Sequence, residues 1–461
     1  MSGVNTVPPA ARFTDPAQAR FTPSSMPVEA YISAKYAGLE DERVWPRTWQ
    51  IVCREEEIPN VGDFVTFNLV EESIIVIRSS EDEVQAFYNV CRHRGRRLVD
   101  AERGNRKGGM VCGFHGWSWN PDGSNKHVTD REDWSGCDRF ADEDLKLRSV
   151  RIEKWAGWYW ICMDPTIEPL LDYLEPLPDV FRNFELESMR IAWYKTLIVP
   201  VNWKVMIDAF NEGYHTSATH PQVGKRSPFG TTSGAAGKHS TFTFPNPQRM
   251  VERMISSPPD TDHRVQLHDA LKDTYSTLHS LVSRYRMRAG ERLVEELPDG
   301  MPLQEVAMKL GQFHREEVEK SGAKWPEKLT QEDTQRAGTD WHMFPNSILL
   351  PTADCVLWYR SRPNGADHTS CIWDVWSLER FAEGEEPSVK REHYPTLESF
   401  KGQNPFLEQD FSNVAAVQVG MRSRGFTEAR TSPLQEVPIN NFHTVLYQYL
   451  ATPPDETVPE V

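Results

Sequence analysis

The stretch Cys91-Arg92-His93-Arg94-Gly95, answered by Cys112-Gly113-Phe114-His115-Gly116-Trp117, decides how this chain is read. Two thiols and two imidazoles, spaced as Cys-x-His, 18 intervening residues and Cys-x-x-His, form a metal-ligand set. A structural zinc site with two Cys and two His is one use of such a set. An iron–sulfur cluster with two cysteines on one iron and two histidines on the other is the second. Zinc fingers usually carry a Cys-x-x-Cys pair. Here each loop supplies one Cys and one His, which suits two irons that need different ligands. Gly95, Gly113 and Gly116 leave room for backbone amides to approach bridging sulfides.

The residues around these loops read as β structure. Short β-branched or aromatic runs at 64–69, 74–78 and 84–90 are punctuated by Asp63, Glu71, Glu72 and the polar stretch 79–82. Residues 44–164 are therefore expected to form a small antiparallel β domain. A Pro- and Ala-containing lead-in, 1–43, precedes it, with a short helix expected over 28–39 and no chemistry of its own.

A second stretch lies downstream: Asn202-Trp-Lys-Val-Met-Ile-Asp208-Ala-Phe-Asn-Glu212-Gly-Tyr-His215-Thr-Ser-Ala-Thr-His220. Trp203, Met206, Ile207, Phe210 and Tyr214 recur at helical spacing. Five residues on an ideal helix turn through about 500°, which leaves His215 and His220 roughly 140° apart. They can share one metal only if the helix is distorted or ends between them. Thr216, Ser217 and Thr219 are poor helix-interior residues and Pro221 follows, so the helix is expected to unwind after His215.

With both stretches quoted, the chain resembles the large (α) subunit of a Rieske non-heme iron oxygenase, the ring-hydroxylating oxygenase family. The resemblance covers most of the chain from about residue 44. It implies that Cys91, His93, Cys112 and His115 bind a Rieske [2Fe–2S] cluster, and that His215 and His220 bind a mononuclear Fe(II). It also implies a third iron ligand late in the chain. Asp410, followed eight residues later by Gln418-x-Gly420, matches that pattern, with Glu408 as the competitor. Two histidines and a carboxylate leave iron positions open for O2. In the family an acid at position 212 links a cluster histidine of one subunit, here His115, to an iron histidine of the next, here His215. Asp208, one helical turn before Glu212, is placed to support it.

The fold implied is α+β: an N-terminal antiparallel β Rieske domain, then a catalytic domain over 165–461 with a curved antiparallel sheet flanked by helices. The function implied is a terminal oxygenase component. Electrons from NAD(P)H would arrive through a reductase, with or without a ferredoxin, and O2 would oxidise an organic, aromatic substrate. Dihydroxylation, monohydroxylation and oxidative demethylation all fit. Family members form trimers, some with β subunits. A Rieske electron carrier without oxygenase activity and a zinc-stabilised binding module are the competing classes.

Composition agrees with a soluble enzyme. The chain has 461 residues, a net charge of −16 and seven cysteines scattered through it. The acidity argues against a nucleic-acid binder, and the odd cysteine count suggests no disulfide framework. No apolar run approaches the roughly 20 residues of a membrane span, and the start lacks a signal pattern, so the cytoplasm is expected. A local basic cluster, Arg92, Arg94, Arg96, Arg97, Arg103, Arg106 and Lys107, is a candidate docking surface for an acidic electron donor.

The remaining elements are read as follows. Residues 165–188 form a Pro-rich connector with a short turn, and 189–200 the first strand of the second domain. Residues 221–338 are a polar insertion with helices at 264–288 and 302–320, covering the site's mouth or packing between subunits. Gly230-Thr-Thr-Ser-Gly234 is a loop. Strands follow at 341–350, 355–362 and 369–378, then a closing helix at 441–450 and a loose last ten residues. Phe210, Phe344 and Trp358 are pocket candidates by position, and Cys355 and Cys371 packing residues.

Overall fold

The alternating runs at 63–78 become a hairpin, Asp63–Leu69 against Glu72–Arg78, with Phe64 opposite Ile77 and Phe67 opposite Ile74. The structure is a computed structural model that describes residues 25–220, 230–244, 261–278 and 280–452. The chain divides into two units, Trp45–Tyr173 and a second made of residues 1–44 with 174–461.

In the first unit the hairpin lies within a seven-stranded antiparallel sheet that also contains Val84–Tyr88, Ser149–Trp155 and Trp158–Cys162. A smaller three-stranded sheet, Met110–Val111, Ser118–Trp119 and Asn125–His127, packs beside it. Between them lies an apolar core that includes Phe64, Ile75, Phe87, Met110 and Trp119. Cys91 and Cys112 belong to that core, so both thiols sit where apolar side chains exclude water.

The second unit is built on an eight-stranded sheet. Its order is Thr232–Ala236, His239–Thr243, Asp340–Met343, Ser347–Pro351, Cys355–Asn364, Asp367–Glu379, Arg190–Val199 and Arg391–Tyr394. Every pairing is antiparallel except the last, which is parallel. The α+β class and the largely antiparallel sheet with flanking helices are as expected. Cys355 and Cys371 are fully buried in it, and burial pushes the Cys371 thiol up to about 12, so both are packing groups.

Four expectations change. The expected helix at 264–288 is two, His263–Thr277 and Arg284–Glu296, the second capped by the Ser283 side chain on Arg286 N. Gly230-Thr-Thr-Ser-Gly234 is not wholly a loop, because Thr232–Ala236 forms an edge strand against His239–Thr243. Small polar residues hid it, and its pairing is supplied by a partner strand rather than by its own propensity. The expected strand at 341–350 is a hairpin, Asp340–Met343 with Ser347–Pro351. Pro345 lies in its turn and has no N–H for a ladder. The expected helix at 28–39 is two, Glu29–Ile32 and Ala34–Arg43, separated by Ser33, which is extended and caps the second through Tyr36 N.

In the insertion, His263–Thr277, Arg284–Glu296 and Leu303–Lys320 pack around Leu271, Met287, Leu293, Val306 and Phe313. Gly290 lets two of these helices approach, since a Cβ there would lie 2.8 Å from Leu271. The layer is tied to the sheet by Asp354. Its carboxylate accepts from Ser283 Oγ and lies 2.9 Å from His314 Nε2. Burial would raise the Asp354 carboxyl, yet these partners hold it at about 2. Residues 221–229, 245–260 and 279 of the insertion, the lead-in before residue 25 and the tail after residue 452 lie outside the described residues. Among the described residues no helix is long and apolar enough to cross a membrane.

Candidate metal centres

The two Cys/His loops have the same backbone plan. Cys91 N donates to Arg96 O (2.8 Å) and Gly95 N to Cys91 O (3.0 Å). In the second loop Cys112 N donates to Trp117 O (2.8 Å) and Gly116 N to Cys112 O (3.0 Å). Each turn requires a left-handed residue, supplied by Gly95 at φ +75° and Gly116 at φ +76°. Gly113 is not in the left-handed region, and a Cβ there would make only ordinary contacts with Arg96 among the protein's own atoms.

The loops bring the four ligand candidates together. The Cys91 and Cys112 thiols lie against each other, and the His93 and His115 rings are 4.7 Å apart. His93 is stacked on Trp117 at 4.8 Å, and its Nδ1 is buried with no hydrogen-bond partner. Burial raises the Cys91 thiol. It also opposes ionisation of Cys112, but the amides of Phe114 and His115 outweigh it and bring that thiol below its ordinary value. Amides aimed at sulfur and an imidazole nitrogen left without a partner suit a cluster held by thiolate and imidazole.

The basic cluster divides. Arg96 pairs with Asp100 (2.8 Å), Arg103 with Glu57 (3.2 Å), and Arg94 Nη2 lies 2.7 Å from His115 Nε2. Arg106 makes no ion pair among the described residues and lies over the Phe64 ring.

The second centre begins at Trp203–Phe210, capped by the Asn202 side chain on Lys204 N (3.1 Å). The helix ends at Phe210, five residues before His215, so the expected unwinding point moves upstream. Past that end the chain runs tightly at Gly213, where a Cβ would be 2.3 Å from Phe244 and 2.6 Å from Thr231. Tyr214, assigned above to the apolar face, is 59% exposed. His215 and His220 then bracket a single turn, Thr216–Thr219, which folds the second imidazole back toward the first. Asp410 comes from the middle of Pro405–Met421.

His215, His220 and Asp410 offer ligand atoms that all lie within 4.8 Å of one another. His220 Nε2 is 2.9 Å and His215 Nε2 3.5 Å from Asp410 Oδ1. The other nitrogen of each ring is occupied: His215 Nδ1 donates to Glu212 Oε1 (2.6 Å) and His220 Nδ1 to Gln409 Oε1 (2.7 Å). Both Nε2 atoms therefore present lone pairs toward a carboxylate. No described residue hydrogen-bonds His220 Nε2 or Asp410 Oδ2, though both are buried. Lone pairs converging in this way call for a cation between them, and the donor set of two imidazoles and a carboxylate fits Fe(II). Burial would lower His215, but Glu212 outweighs it and raises it.

Other expected residues fall as follows. Glu408 faces Asn404 N (3.2 Å) at the helix start and does not join the trio. Asp208 does not contact Glu212. Its carboxylate accepts from Tyr31 OH (2.6 Å) and meets His443 Nε2 (3.0 Å). Glu212, His215 and Asp410 line a cavity of about 360 Å³ with Tyr31, Asp208 and Met421. Phe210, Phe344 and Trp358 do not line it. Phe344 and Trp358 are fully buried, Phe344 against Tyr449 and Trp358 on the sheet face opposite Tyr359.

Several supporting residues escaped the sequence reading. Gln409 orients His220, and Phe406 stacks on the same ring at 3.7 Å. Gln418, read above only as part of the Gln-x-Gly pattern, accepts from Asn202 N (2.7 Å), joining the helix that carries Asp410 to the one that precedes His215. Glu40 of the lead-in accepts from Trp203 Nε1 (2.8 Å) and pairs with Lys204. The signal for Glu40 was a lysine inside an otherwise apolar helix start, which demands a buried partner.

The Ring hydroxylating alpha subunit (catalytic domain) model matches residues 180–452, and the Rieske [2Fe-2S] domain model residues 48–140. The carnitine monooxygenase oxygenase subunit of Escherichia coli (strain K12) is 32% identical over 43% of this chain and 52% of its own length. The large oxygenase component of the 2,4-dinitrotoluene dioxygenase system of Burkholderia sp. (strain RASC) is 35% identical over 40% of this chain and 42% of its own. The matched part of the chain thus spans about half the length of these curated relatives or less. Two solved structures share the fold at 18% identity. A quaternary ammonium Rieske monooxygenase with L-carnitine has a TM-score of 0.61, covering 92% of this chain and 95% of that one. Naphthalene 1,2-dioxygenase with indole has 0.64, covering 93% and 92%.

Proposed function

The chain belongs to the family of ring-hydroxylating oxygenase α subunits with a Rieske domain, and from that membership we propose that it is the terminal oxygenase component of a multicomponent system. It oxidises an organic substrate with O2, using electrons from NAD(P)H passed through a reductase, directly or by way of a ferredoxin. The observation that carries this reading is the convergence of His215, His220 and Asp410 at the end of a turn. Named relatives act on carnitine and on dinitrotoluene, so an aromatic substrate is one of two classes the family accommodates, and demethylation stands beside ring hydroxylation.

The residues have distinct roles. When bound, the cluster supplies single electrons and the ferrous ion supplies a site for O2 and a further electron. Glu212 and Gln409 hold the Nδ1 protons of the two iron histidines, so each Nε2 stays available and correctly turned. Cys91, His93, Cys112 and His115 hold the cluster. Asp208 lines the same cavity but binds Tyr31 and His443 rather than joining the ligand trio. Glu212 also faces the cavity, where in a trimer it meets His115 of a neighbouring copy.

Iron analysis of the purified protein tests the reading. About three irons per chain and substrate-dependent oxygen uptake are expected. About two irons without oxygen uptake would make it an electron carrier, and zinc without colour a structural module.

Arg106 supports a docking role for the basic cluster, being uncommitted to any described carboxylate. Arg106→Glu should slow reduction of the cluster by its donor and flatten the dependence of that rate on ionic strength, read by stopped-flow absorbance. Unchanged kinetics would remove the cluster from the docking surface.

A further inference from the structure

Four described carboxylates line the cavity beside the iron trio: Asp208, Glu212, Asp410 and Glu436. All but Asp410 accept hydrogen bonds from donors of the protein. Glu212 Oε1 accepts from His215 Nδ1 (2.6 Å), and its Oε2 from His215 N (3.0 Å) and Tyr214 N. Glu436 accepts from Ser432 N (2.6 Å). Asp208 accepts from Tyr31 OH at Oδ2 (2.6 Å) and from His443 Nε2 at Oδ1 (3.0 Å). Asp410 keeps a buried oxygen, Oδ2, with no hydrogen-bond partner among the described residues.

Asp208 is the carboxylate with a choice. It lies on the helix that precedes His215 and shares the cavity with His215 and Asp410. A second aspartate is as good an oxygen ligand for a hard divalent ion as the first, and the attraction strengthens where water is scarce. The Asp208 side chain is 17% exposed, so solvent answers little of its charge. Its answer comes from both ends of the chain, Tyr31 on Glu29–Ile32 and His443 on Val437–Ala451. Both side chains are buried, and the Tyr31 hydroxyl and His443 Nε2 are 3.0 Å apart. The hydroxyl's one proton goes to Asp208, and an ionised carboxylate has none to give, so His443 donates from Nε2. Burial raises the Tyr31 hydroxyl first and Asp208 raises it further, so Tyr31 keeps the proton it donates. Hydrogen bonds to an ionised acceptor are roughly twice as strong as neutral ones.

We propose that Tyr31 and His443 are positioning residues that hold Asp208 off the metal, so that the protein gives Fe(II) one carboxylate instead of two. A second carboxylate would fill a coordination position that the two-histidine, one-carboxylate set leaves open. The lead-in, expected to have no chemistry of its own, thereby sets how many ligands the protein contributes. The inference rests on the iron-site reading of the trio, but its test needs no turnover.

The test uses the full chain with its cluster intact and its mononuclear site emptied by a chelator. Anaerobic calorimetry with Fe(II) gives metal affinity, and electron paramagnetic resonance of the Fe(II)-loaded chain with nitric oxide reads the open position. Tyr31→Phe combined with His443→Leu should bind Fe(II) about tenfold more tightly and nitric oxide about tenfold more weakly. Adding Asp208→Asn should return both values to those of the wild type. An amide is a poor substitute for the carboxylate ligand, and loosened packing would not be repaired by it. Unchanged values in the folded double variant, or changes that Asp208→Asn does not reverse, overturn the proposal. If melting curves show that the double variant does not fold, Tyr31→Phe alone decides, since it keeps the ring. Shifts of about threefold in the same directions support the proposal, and none overturns it. A wild-type chain that binds Fe(II) but takes up no oxygen removes the oxygenase reading and leaves these measurements to decide the roles of Tyr31 and His443. One that binds no Fe(II) removes both.

Discussion

Asp410→Ala should abolish turnover and lower iron by about one per chain, while the visible spectrum of the cluster stays unchanged. The carboxylate is 5% exposed, and its Oδ1 faces the Nε2 atoms of both His220 and His215. With both Nδ1 atoms already donating to Glu212 and Gln409, neither ring has a proton to offer it. Removing Asp410 leaves two neutral nitrogens, too few to hold a hard divalent ion that prefers oxygen as well as imidazole. The cluster ligands lie at 91–115 in the separate Trp45–Tyr173 unit, so their spectrum serves as an internal control for folding. Glu408→Ala is the matched comparison. That side chain faces Asn404 N, so turnover should persist with at most a small loss from the helix start. If Asp410→Ala keeps activity, or Glu408→Ala loses the third iron, the ligand assignment is wrong.

Lys204→Met should cost about 3–5 kcal/mol of stability, the largest effect expected away from the metals. Lys204 and Glu40 have side chains 0% and 2% exposed and form an ion pair. Burial lowers the Lys204 ammonium below its ordinary value, and Glu40 works against that shift. Without the lysine, Glu40 remains as a buried charge with the Trp203 indole N–H as its remaining hydrogen bond among those seen at the site. Glu40→Gln combined with Lys204→Met should recover part of the loss, because a neutral amide can still accept from Trp203. Thermal melts of the single and double variants test this. Additive losses would mean that the pair is not coupled. Since Lys204 begins the helix leading to His215, the single variant should also bind its mononuclear iron more weakly.

The sequence by itself determined the chemistry. Cysteine and histidine at metal spacing, two more histidines after a helix, and an aspartate before Gln-x-Gly are local patterns, because ligand identity and spacing are properties of short stretches of chain. The strands around the first centre were legible for the same reason, through their alternation. Tertiary structure alone decided the partners. That only glycine fits at 213, just past the helix end at Phe210, depends on Phe244 and Thr231 crowding that position. That Asp208 serves Tyr31 and His443 depends on segments 177 and 235 residues away along the chain. Nothing local marks Asp340, and only the register of three strands turns it inward, where neither oxygen has a hydrogen-bond partner. A contact between distant segments leaves no periodic mark in either, so the ligand types can be read from the chain while their supports appear only once it is folded.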